Sequence, residues 1–103
     1  MDDYALPAHF DRLIHQPSRL AIMAVLSGCE SAEFLYLLKA TGLSKGTLSA
    51  HLSKLENAGY VAITKSFKGK YPNTSAALTA KGRKAFRKYR QQYRKFSRSI
   101  LDE

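Results

Sequence analysis

Cysteine, tryptophan and long apolar runs are what this chain of 103 residues has least of. It holds one cysteine, Cys29, and no tryptophan. A single thiol excludes an internal disulfide and fits a reducing cytoplasm. No apolar stretch approaches the roughly 20 residues needed to cross a bilayer. Asp2 and Asp3 open the chain with no apolar run behind them, so a secretory signal is not expected. The expectation is a soluble, cytoplasmic protein folded as one domain over 1–103. Acid is also scarce, and the scarcity is local. Five acidic and three basic residues precede Lys45, whereas fourteen basic residues from Lys45 to Arg98 face Glu56 alone. A net charge of +9 points to a polyanionic partner. The first half reads as scaffold and the second as the contacting half.

What is present centres on residues 44–61. Ser44 has the hydroxyl to cap a helix start, and Gly59 can adopt the left-handed conformation that ends one. Leu48, Leu52 and Leu55 fall at i, i+4 and i+7 and share one buried stripe. The opposite side carries Gly46, Ser49, Ala50, Ser53 and Asn57, flanked by Thr47 and Lys54. That face is small, hydroxyl-bearing and free of acid, so it can slide close to another surface, for which a DNA major groove about 12 Å wide is the candidate. Taken alone it could equally be a solvated helix face, although such faces favour longer Glu/Lys pairs.

In chain order, Phe10, Leu13 and Ile14 have the spacing of a short amphipathic helix. Pro17 then opens a second helix to about Ser27, apolar on nearly every side and expected to be the central buried one, with Gly28 as its stop. Ser31 is the expected cap of a third helix whose stripe is Phe34, Leu37 and Leu38, ended at Gly42. A helix, a short turn containing glycine and a second helix over about 31–58 form a helix-turn-helix pattern. After Gly59 the period changes to two, placing Val61, Ile63 and Phe67 on one side of a strand. Residues 68–73 read as a turn and Thr74 to Leu78 as a returning strand, giving a hairpin over about 60–78. A long helix, capped by Thr79, covers about 79–100.

The hairpin end concentrates Lys65, Lys68 and Lys70 around Gly69, with Tyr71 and Asn73 able to hydrogen-bond. By itself this describes a solvated edge whose lysines discourage aggregation. Directly after a helix-turn-helix, it would reach phosphates or the neighbouring minor groove. In the last helix Phe86, Tyr89, Tyr93, Phe96 and Ile100 recur at spacings of 3, 4, 3 and 4, the stripe of a helix pair. Its start is expected to pack on the domain's own core. Tyr89, Tyr93, Phe96 and Ile100, with Phe10, are the expected dimer interface, since exposed apolar stripes rarely stay uncovered. A basic amphipathic helix lying on a membrane is the weaker alternative.

Cys29 reads as a small buried hydrophobe, with a thiol sensor as the alternative. His9, His15 and His51 have no metal-ligand spacing. His51 flanks the outward helix face, where it could donate to a phosphate or sit half-buried against backbone. No nucleophile–base pair or phosphate loop is apparent, so neither enzyme activity nor a cofactor is expected.

The run Leu48-Ser49-Ala50-His51-Leu52-Ser53-Lys54-Leu55-Glu56-Asn57-Ala58-Gly59-Tyr60-Val61 is similar to the S-x-H-L-x-x-L-E-x-A-G-[LY]-[IV] pattern of ArsR- and MarR-type winged-helix transcription regulators. The Leu78-Thr79-Ala80-Lys81-Gly82 entry to the last helix is a second, less specific match. The resemblance implies a mainly α fold with a small β-hairpin: a winged helix-turn-helix with a long C-terminal dimerisation helix. It implies that residues 44–57 are the recognition helix and 65–73 the wing, acting as a homodimer on near-palindromic double-stranded DNA. Ser44, Lys45, Gly46, Thr47, Ser49, Ala50, His51, Ser53 and Lys54 then form the DNA-binding helix face. Repression is the expected output; a winged-helix module binding RNA or protein is the alternative. The Cys-x-Cys pair of metal-sensing relatives is absent from this helix. The chain also lacks the extra helices with which larger MarR proteins shelter a small-molecule pocket, so any effector stays open.

Overall fold

A computed structural model describes residues 10–101. Its elements are α1 (Pro17–Ser27), β1 (Ala32–Glu33), α2 (Phe34–Thr41), α3 (Lys45–Asn57), β2 (Val61–Lys68), β3 (Tyr71–Leu78) and α4 (Ala80–Leu101). The strands form one antiparallel sheet in the order β1-β3-β2. His9 and the chain before it lie outside the described residues. No described helix is long and apolar enough to cross a membrane.

The helix-turn-helix forms where the local chemistry directs it. Gln16 caps α1 by accepting from the Arg19 N–H at 2.8 Å, and Pro17 occupies the first turn, where its missing N–H leaves no bond unmade. Gly42, at φ 72°, takes the left-handed position after α2. Ser44 then caps α3, its Oγ accepting from Thr47 N at 3.2 Å. Leu48, Leu52 and Leu55 are all buried, against Ile22, Met23 and Leu26 of α1, Leu37 of α2 and Val61 and Leu78 of the sheet. The α3 leucines are therefore fixed from three sides, and the rest of the helix is free to face outward.

Four expectations are corrected. Residues 10–14 form no helix: the Asp11 carboxylate accepts from Leu13 N at 2.9 Å and Ile14 N at 3.3 Å and holds a turn instead. Ser31 does not cap α2, because Ala32 and Glu33 pair with Ala76 and Ser75 as a short strand. The hairpin turn is shorter than expected. Lys68 pairs with Tyr71, leaving only Gly69, at φ 61°, and Lys70 to reverse the chain, so Tyr71, Pro72 and Asn73 belong to β3. Phe10 and Tyr89, both expected at a dimer interface, are 4% and 2% exposed inside the protomer. Their ring centroids lie 5.5 Å apart, and Tyr89 Oη meets His15 Nδ1 at 2.6 Å.

The start of α4 is locked to the end of α3. Thr79 Oγ1 accepts from Gly82 N at 2.9 Å and donates to the Gly59 carbonyl at 2.6 Å. Gly82 sits so close to Tyr60 that a Cβ there would lie 2.0 Å from the Tyr60 carbonyl oxygen. Tyr60 in turn donates its hydroxyl to Asp11, and burial plus that bond push its pKa up to about 12. Beyond Tyr89 the helix still meets the core at Phe96, whose ring lies against Phe10. Its 22 residues span about 33 Å, and the molecule measures 58 × 25 × 21 Å.

Candidate nucleic-acid interface

The outward side of α3 is open. Lys45, Gly46, Thr47, Ser49, Ala50, Ser53 and Lys54 are all exposed, as is the capping Ser44. Gly46 has nothing within 4 Å of where a Cβ would stand, so no internal contact accounts for a glycine there. Ser44 and Thr47 are partly engaged with one another, Ser44 Oγ donating to Thr47 Oγ1 at 2.9 Å. Ser49 and Ser53 remain the hydroxyls on the middle of the face, with the Ala50 methyl between them.

The His51 ring takes a side chain rather than backbone as its partner. It is half-buried, and its Nδ1 meets a guanidinium nitrogen of Arg19, on α1, at 3.1 Å. A guanidinium offers only donors, so Nδ1 is the acceptor and the proton sits on Nε2. Burial, then the Arg19 and Lys54 charges, hold the His51 pKa below its ordinary value. The ring is thereby kept neutral with one N–H left to give. Arg19 itself is anchored by Nε donating to the Leu13 carbonyl. Sequence reasoning missed Arg19, which is 32 residues away from its partner.

Between α3 and the hairpin runs an open groove of about 700 Å³. Ser49 and Ser53 line one side and Ile63, Lys65 and Thr74 the other. Glu56, at the end away from the Ser44 cap, also lines it. Lys65, Lys70, Gly69 and Tyr71 are exposed and Asn73 half-buried. Lys68 is exposed too, yet its Nζ contacts Glu33 of β1 at 2.5 Å. A solvent-exposed pair of this kind contributes little to stability, so Lys68 can exchange Glu33 for a phosphate at small cost.

On α4, Tyr93 and Ile100 are each 45% exposed and Leu101 76% exposed, while Phe96 is half-buried beside Phe10. Leu20, Phe86, Tyr93, Arg90 and Arg94 surround a shallow hollow of about 400 Å³ along this side. Cys29 is half-buried, its thiol donating to the Val25 carbonyl. Among the described residues no group of three or more His, Cys, Asp or Glu is arranged to hold a metal ion.

Residues 18–96 match the family model described as "Winged helix DNA-binding domain". An uncharacterized protein of Methanocaldococcus jannaschii is 38% identical over 90 residues, covering 86% of this chain and 97% of that one. Among solved structures, the transcriptional regulator homologue of Pyrococcus horikoshii OT3 superposes with a TM-score of 0.76 at 25% identity, over 89% of this chain and 87% of that one. A regulator assigned to the MarR family from Enterococcus faecalis V583 shares the fold over 95% of this chain and 96% of its own, with a TM-score of 0.75 at 16% identity.

Proposed function

Since the chain belongs to the winged-helix DNA-binding domain family of transcriptional regulators, we propose that it is a homodimeric repressor that binds near-palindromic duplex DNA in a sequence-specific manner. The observation that carries the proposal is the exposed side of α3 from Ser44 to Lys54, small and without acid, beside a lysine-rich hairpin, with Glu56 only at its far end. Buried leucines on its other side make α3 a rigid insert. Two such helices, one per protomer, enter successive major grooves about 34 Å apart. Ser49 and Ser53 hydrogen-bond base edges, and the Ala50 methyl suits a thymine methyl. Lys45, Lys54, Lys65, Lys68 and Lys70 hold phosphates and set the register, with His51 Nε2–H as a neutral donor alongside. The apolar strip of Tyr93, Phe96 and Ile100 pairs the protomers. Occupation of a promoter excludes other proteins from it, so repression needs no further contact. No cofactor enters this reading, and the protein works in the cytoplasm.

Selection from a random duplex pool, followed by competition between the recovered duplex and structured RNA at matched salt, tests the proposal. It predicts a recovered sequence with two related half-sites that RNA does not displace. Equal displacement by RNA, or a pool without enrichment, contradicts it.

A further inference from the structure

The hairpin carries a feature that phosphate contacts do not explain. Strand pairing places Val61 with Leu78, Ile63 with Ala76, Lys65 with Thr74 and Phe67 with Pro72 on one face of the ribbon. At its base this face is core: Val61 is 2% exposed, Leu78 7% and Ala76 2%. Midway, Lys65 and Thr74 line the groove opposite Ser49 and Ser53. At the far end the same face finishes in Phe67, 72% exposed, with Pro72 across from it. An uncovered phenyl ring at a strand end contributes nothing to the core, and here it looks to the same side as α3.

The surroundings select its occupant. Lys65 precedes the ring on the same face, Lys70 stands in the turn beyond it and Lys68 on the opposite face, and β2 and β3 contain no acidic residue. An apolar group framed by cations matches a polyanion with apolar surface inside it, which in duplex DNA means deoxyribose and base faces behind a phosphate wall. A two-stranded ribbon fits a major groove about 12 Å wide, whereas a minor groove about 6 Å wide admits little more than a side chain. Phenylalanine and proline are among the side chains able to part a base step there.

We propose that Phe67, backed by Pro72, is an apolar wedge that the hairpin drives into the minor groove beside the α3 site, partly unstacking one base step and bending the duplex. The proposal rests on the duplex-binding reading above. It adds specificity at a step that α3 never touches, because pyrimidine–purine steps unstack more easily than others.

The test uses a duplex recovered by the selection, end-labelled for energy transfer and carrying 2-aminopurine at the flanking step. Wild-type protein is expected to bend it by at least about 20° and to raise the 2-aminopurine emission. Phe67→Ala, which alters no buried contact and should melt with the wild type, is expected to bind within about tenfold while losing both signals. Replacing a pyrimidine–purine step at that position by a stiffer one should weaken the wild type and leave Phe67→Ala unaffected. A straight duplex under bound wild-type protein overturns the wedge and leaves duplex binding standing, as does a variant that bends as well as wild type. A change in oligomer mass with unaltered bending assigns Phe67 to a second copy of the chain and also overturns it. Failure of wild-type protein to hold any duplex overturns both readings together.

Discussion

Arg19 and His51 join the start of α1 to the outward helix through a 3.1 Å contact that fixes the histidine tautomer. Burial first, and the Arg19 and Lys54 charges next, make the imidazolium costly here. Because the folded-state pKa lies below the ordinary 6.5, the unfolded chain takes up the proton first as pH falls. This contribution to stability is therefore complete above 6.5 and is lost as pH drops through the lowered folded value. Arg19→Met removes one of the two charges. The expected outcome is a His51 titration midpoint that moves up towards 6.5, read by NMR, with a shallower loss of stability on acidification. An unmoved midpoint would show that the contact does not govern the ring.

Gly82 sets helix propensity against packing. Alanine in a helix interior is favoured over glycine by about 1 kcal/mol. At this position its Cβ would stand 2.0 Å from the Tyr60 carbonyl oxygen, and relieving such an overlap costs about 1–3 kcal/mol. Gly82→Ala should therefore lower stability in denaturant unfolding, by shifting α4 away from the α3–β2 junction. An unchanged or raised midpoint would mean that α4 is not seated on Tyr60 as described.

The distal half of α4 carries the prediction about assembly. Tyr93 is 45% exposed, with its ring 6.0 Å from that of the buried Tyr89. Tyr93→Glu places a charge in the middle of the strip without entering the core. Sedimentation is expected to show a dimer for the wild type and monomers for this variant, with thermal stability per protomer little changed. A variant that remains dimeric refutes pairing through this side of α4.

Binding should also report its electrostatic share. If a dimer neutralises about eight phosphates through its lysines and the groove-edge donors, the logarithm of affinity should fall with the logarithm of salt at a slope near −7. Titration of a fixed duplex across a salt series gives the slope directly. A value near zero would remove the lysines of α3 and the hairpin from the interface.

Much of this architecture was legible in the residues because local and tertiary preferences agree there. Leu48, Leu52 and Leu55 sit at helical spacing, Ser44 caps, and Gly59 has the positive φ its position asked for. The misreadings come from signals with two meanings. An a/d stripe looks the same whether it meets a partner or the protomer's own chain, and Phe10 and His15 decide the matter for Tyr89 from outside α4. Phe10, Leu13 and Ile14 have helical spacing, but Asp11 captures the amides that would start the helix. Tyr71, Pro72 and Asn73 resemble turn residues, yet one glycine suffices to reverse the chain and they extend the strand instead. A strand of two residues, β1, is too short to display any period, which also hid the pairing of Glu33 with Lys68. Arg19 could have been found only by asking which α1 cation the N-cap at Gln16 aims towards α3.

The affinity of Ala50→Glu for selected duplex DNA tests the central claim most directly. Ala50 is exposed on the open side of α3, far from the leucines that seat the helix. The substitution adds bulk and negative charge where a groove should close in, and leaves the fold's contacts alone. The account predicts that duplex binding is abolished while the unfolding free energy stays within about 0.5 kcal/mol of wild type. Wild-type affinity in this variant would contradict insertion of α3 into DNA.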